Sequence, residues 1–93
     1  MDFGAFPGSE LVLPGLDDLA AGRETVNALL VLVGAPRLRR LGFEVPERPA
    51  DGDLPEHRLY HLLGAIHGDN AHSKYNALIR RLVSFERAVA CAK

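Results

Sequence analysis

Seven apolar residues, Ala71, Tyr75, Leu78, Ile79, Leu82, Phe85 and Val89, recur at the three- and four-residue spacing of an α-helix. At 3.6 residues per turn they fall within a sector about 120° wide, with Ser73, Arg80, Ser84 and Arg87 on the far side. The spacing predicts one amphipathic helix over residues 70–92, whose apolar stripe must be buried against other elements. A chain of 93 residues can bury only one core, so that core has to serve everything.

The residues just before it supply a first partner. Leu59, Leu62, Leu63 and Ile66 stand at i, i+3, i+4 and i+7, which predicts a helix over 55–68 with all four in the core. Pro55 suits its first turn, and Gly68 its end. The corner His67-Gly68-Asp69-Asn70 then folds the second helix back on the first, with Asp69 or Asn70 as the expected cap. Glu86 lies at the edge of the apolar sector and needs a partner if buried; Arg58 is the candidate.

Toward the N-terminus the elements shorten. Residues 1–13 mix Phe3, Phe6, Leu11, Val12 and Leu13 with glycine and proline and are expected to form an irregular arm, or a first helical turn from Glu10. Pro14, Asp17 and Asp18 suit the positive start of a short helix over 14–21, closed by Gly22. Thr25 can cap a helix over 26–33 that Gly34 stops. That segment is apolar all round and therefore buried; its composition also fits a strand, with Leu11 to Leu13 as the one plausible partner. Pro36, Arg37, Arg39, Arg40 and Gly42 outline a third short helix over 36–41. Residues 43–55, with Pro46, Pro49, Gly52 and Pro55 among acidic residues, read as a long connection. The expected architecture is all-α: a compact bundle of about five helices in a single domain of residues 1–93, three short N-terminal helices followed by an antiparallel hairpin of two longer amphipathic ones.

Charge limits the partners. The net charge of -1 is too small to draw nucleic acid or a membrane by bulk attraction. Residues 1–53 hold nine acidic and five basic side chains, and residues 54–93 three acidic and six basic. Either the halves neutralise one another on packing, or the C-terminal helix keeps a basic face for an anionic partner. Lys74, Arg80, Arg81 and Arg87 are the candidate nucleic-acid or partner contacts, and equally the solvated face that any surface helix carries. Glycine-turned helices between Leu16 and Leu41 resemble a helix-turn-helix, but the second offers only Asn27 to a base edge.

The histidines raise the question of metal. His67, Asp69 and His72 flank the corner and could supply two imidazoles and a carboxylate to zinc or iron, although Asp69 is also wanted as a cap. His57 and His61 are four apart without the metalloprotease pattern, and point into water. Cys91 is the only cysteine, so a disulfide and a cysteine zinc site are both excluded and a reducing compartment is expected. Ser9, Ser73 and Ser84 lack a nucleophile-elbow context, and the glycines form no phosphate or dinucleotide loop. No catalytic residue and no cofactor are expected.

The N-terminus has no basic n-region, and Gly4, Pro7 and Gly8 interrupt its apolar residues, against a signal peptide. Residues 28–33, the longest apolar run, fall far short of the roughly 20 that span a bilayer. A cytoplasmic protein with no membrane partner is expected. The leading functional expectation is a noncatalytic protein-interaction or self-associating module, since small helical domains often complete their burial by association, most commonly as a homodimer. Phe3, Phe6 and Phe43 would be its anchors, unless they close the monomer's own core.

Overall fold

Gly8 sets where the first long helix starts. Its φ is +84°, and a Cβ there would stand 2.5 Å from the Arg81 carbonyl oxygen, so only glycine meets both the left-handed turn and the close approach. The computed structural model describes residues 3–46 and 54–92. Helix α1 spans Ser9–Ala20, α2 Val26–Val33, α3 Ala35–Arg40, α4 Pro55–His67 and α5 Ala71–Ala92, with 3-10 turns at Phe3–Ala5 and Gly68–Asn70. Among the described residues there is no strand, so residues 26–33 take the helical alternative and the all-α expectation is met.

Two boundaries differ from expectation. Helix α1 begins at Ser9, so residues 9–13 belong to it and the irregular arm is confined to what precedes. Burial of Val12 and the docking of Gly8 on α5 hold this stretch in the helix, with Pro14 inside it. Asp17 and Asp18 consequently sit near the C-terminal end of α1, where the helix dipole does not favour them. Asp18 is compensated by Arg23 at 2.9 Å and by the Thr25 hydroxyl, which donates to its Oδ2 at 2.7 Å. Helix α5 is entered directly through the 3-10 turn Gly68–Asn70, not through a side-chain cap from Asp69 or Asn70. Of the connection expected over 43–55, residues 47–53 lie outside the described residues, and 43–46 are without regular structure.

The other end signals hold. Thr25 Oγ1 accepts from the Ala28 amide at 3.1 Å, and Gly22 and Gly42 take positive φ just past α1 and α3. Gly34 closes α2 and opens α3 in a single residue.

Packing runs α1 on α2, α2 on α4 and α4 on α5, with the start of α1 also meeting α5. The principal extents are 37 × 28 × 18 Å. Gly15 lets α1 and α2 approach: a Cβ there would fall 2.4 Å from Asn27 O and 2.6 Å from Val31 Cγ2. The largest fully buried side chains among the described residues are Val12, Leu29, Leu30, Val31, Leu38, Leu59, Leu63, Phe85 and Val89, drawn from all five helices. Each contributes about 1.5–3 kcal/mol by leaving water. Along α4 the predicted stripe is only partly core: Leu59 and Leu63 are buried and Leu62 half-buried, but Ile66 in the last turn is 57% exposed. The stripe runs one turn further than the surface that covers it.

Candidate functional site

The corner between α4 and α5 bounds a shallow depression of about 530 Å³, floored by small residues, Gly64, Ala65, Gly68 and Ala71, and rimmed by Tyr60, His61, Asp69 and His72. The glycines and alanines bring the helix backbones to the surface; the aromatic rims come from α4 and the first turn of α5. The Tyr60 ring meets His72 edge-on at 6.3 Å and tilts against Tyr75 at 5.7 Å. Asn76 Nδ2 and His72 Nε2 lie 3.2 Å apart in a hydrogen bond one turn along α5. Burial, and secondarily the Glu56 carboxylate, raise the Tyr75 hydroxyl above its ordinary value.

The expected metal set divides here. Asp69 and His72 line the depression, whereas His67 ends α4 exposed and outside it. Among the described residues no three His, Cys, Asp or Glu side chains come together to hold a metal ion. His57 and His61 are both exposed, and Cys91 is exposed on the last turn of α5.

The basic residues of α5 form two files, not one face. At about 100° per residue, Lys74 and Arg81 share one side of the helix and Arg80 and Arg87 another, some 120° away. All four are exposed. Arg81 forms an ion pair with Glu10 of α1. Arg80 Nε donates to the Asn76 carbonyl at 3.4 Å, and the Arg80 carbonyl accepts from Ser84 Oγ at 3.0 Å. Pro7, Ala77, Arg80, Arg81 and Ser84 line a second shallow depression, of about 270 Å³, between the N-terminal segment and α5.

Two ion pairs, Arg81 with Glu10 and Arg58 with Glu24, join the basic C-terminal half to the acidic N-terminal half. This is the mutual neutralisation that the charge split allowed. It also corrects the expected partnership of Glu86: Arg58 goes to Glu24, and Glu86 is buried with its Oε2 unpartnered. The phenylalanines go inward as well. Phe3, Phe6 and Phe43 gather on the fully buried Phe85, with ring centroids 6.5, 6.4 and 5.6 Å from it, and so close the chain's own core.

The sequence reading did not single out the exposure of Ile66, the close approaches at Gly8, Gly15 and Gly34, or the isolation of Glu86. A glycine inside an otherwise helical pattern, as at Gly15, does signal a close helix contact. No helix among the described residues is long and apolar enough to cross a membrane. The chain matches no family model, and no curated protein or solved structure is significantly similar to it.

Proposed function

We propose that this chain is a noncatalytic protein-interaction module that associates with a second copy of itself through the last turns of α4, where its core-facing stripe runs past its cover. The observation that carries the reading is where the exposed large apolar side chains lie. Among the described residues these are Leu54, Tyr60 and Ile66, and all belong to α4 or its N-cap. Ile66 extends the stripe of Leu59, Leu62 and Leu63 beyond its cover, so a contact centred on Ile66 and the half-buried Leu62 continues the core outward. Burying an isoleucine side chain contributes about 1.5–3 kcal/mol, and a two-fold contact uses the same residue twice. Exposed Cys91, free of any disulfide, is compatible with the reducing cytoplasm.

Sedimentation equilibrium over a wide concentration range tests this. The expected result is a concentration-dependent dimer that Ile66→Glu abolishes while leaving the helical circular dichroism unchanged; a strict monomer up to millimolar protein contradicts the reading.

A second reading, nucleic-acid binding, is favoured by Arg80 and Arg87, which share one exposed file with Ser73 and Ser84. Unchanged mobility of DNA and RNA with the protein at low salt contradicts it.

A further inference from the structure

Glu86 is only 4% exposed, and Oε2 of its carboxyl has no hydrogen-bond partner among the described residues. That oxygen lies over Gly34, the shared corner of α2 and α3: a Cβ at Gly34 would stand 3.1 Å from it and 2.9 Å from Leu82 Cδ2. The corner is bare because those two side chains of α5 fill the space. Among the described residues none pairs with the acid. Residues 26–33 of α2 contain no ionisable side chain, and the positions one turn away on α5, Leu82, Val83, Val89 and Ala90, are apolar. From α3, Arg37 acts on the carboxyl through space and Arg39 donates to the Val45 and Pro46 carbonyls. Burial raises the carboxyl above its ordinary 4.5, against a smaller pull downward from Arg37.

What lies over Glu86 is also weakly held. Helix α3 is six residues long, buries only Ala35 and Leu38, and packs chiefly on α2. Elements with few buried anchors are those that open locally at low cost.

We propose that Glu86 is a protonation-controlled latch: neutral, its carboxyl stays buried beneath Gly34 and holds the α2–α3 corner on α5; ionised, it moves toward water and Arg37, and α3 loosens. The latch closes in acid. An acid whose folded value exceeds its unfolded one favours the folded state while protonated in both, below 4.5, and that advantage is lost as pH rises through the folded value.

The test combines carbon-detected titration of the Glu86 carboxyl with amide hydrogen exchange of α3, in the wild-type chain and in Glu86→Gln at matched pH. The expected results are a Glu86 midpoint above the ordinary carboxylate range and α3 protection equal in the two proteins in acid. At higher pH the wild type loses about tenfold in protection relative to Glu86→Gln for each unit of the raised midpoint. An ordinary midpoint, or a protection ratio that does not change with pH, overturns the proposal. Should Glu86→Gln fail to fold, Arg37→Gln serves instead: removing the cation must raise the Glu86 midpoint further, and an unchanged midpoint overturns the latch.

Discussion

Replacing Phe85 with leucine tests whether the N-terminal segment, the chain after α3 and helix α5 meet in one core. The side chain is fully buried, and its ring lies within 6.5 Å, centroid to centroid, of Phe3, Phe6 and Phe43. Leucine keeps most of the apolar burial but removes all three ring contacts. Aromatic pairs contribute about 0.5–1.5 kcal/mol each beyond their area, so even the weak end of that range for three tilted pairs sums to roughly 1.5–2 kcal/mol. For a domain of this size about 1 kcal/mol corresponds to 4–8 °C, which places the expected fall in Tm at about 6–16 °C. Alanine also opens a cavity and costs about 3–5 kcal/mol, a large share of the roughly 5–14 kcal/mol such a chain has in total. The assay is thermal and urea unfolding by far-ultraviolet circular dichroism, because the chain has no tryptophan. A double-mutant cycle with Phe43→Leu then isolates one pair and should give a coupling of at least about 0.5 kcal/mol. A Phe85→Leu protein melting within about 2 °C of wild type, or strict additivity in the cycle, would refute the shared cluster.

Other substitutions probe the joints between helices. Gly15→Ala drives a Cβ into the Asn27 carbonyl and Val31, and should destabilise by about 1–3 kcal/mol in the same unfolding assay, since backbone cannot step aside as a side chain can. Thr25→Ala removes the cap of α2 and the hydroxyl that ties α2 to Asp18, at a cost of about 1–2 kcal/mol, whereas Thr25→Ser retains most of both. The Thr25 hydroxyl, and then Arg23, hold the Asp18 carboxyl below its ordinary 3.8. Its contribution is present above that value and is lost as pH falls through the lower folded one, so Thr25→Ala should flatten the acid limb of a Tm-versus-pH curve.

The periodicity of residues 59–66 and 71–89 was enough to place α4 and α5, because each carries a stripe that only a helix can gather on one side. Thr25, Gly22, Gly34 and Gly42 marked ends for a similarly local reason: their chemistry acts within one turn. The start of α1 at Ser9 was legible only as an alternative, a first helical turn from Glu10, since the choice depends on Gly8 meeting the Arg81 carbonyl across most of the chain's length. The fates of Ile66 and Glu86 were hidden for the same reason. A helical wheel gives the direction of a side chain, but whether another element reaches that far along the axis is a tertiary fact. Ile66 points coreward past the end of its cover, and Glu86, at the edge of its sector, is enclosed by the α2–α3 corner. The four cations of α5 were legible as a group but not as two files with Arg81 committed to Glu10.

The self-association reading is tested most directly by backbone amide shifts followed through a dilution series from millimolar to micromolar protein. The account predicts that the concentration-dependent changes map to Leu62, Ile66 and their neighbours on α4, follow a single dimerisation isotherm, and disappear in Ile66→Glu. Shifts that do not change with concentration, or changes confined to Arg80 and Arg87 on α5, would contradict it.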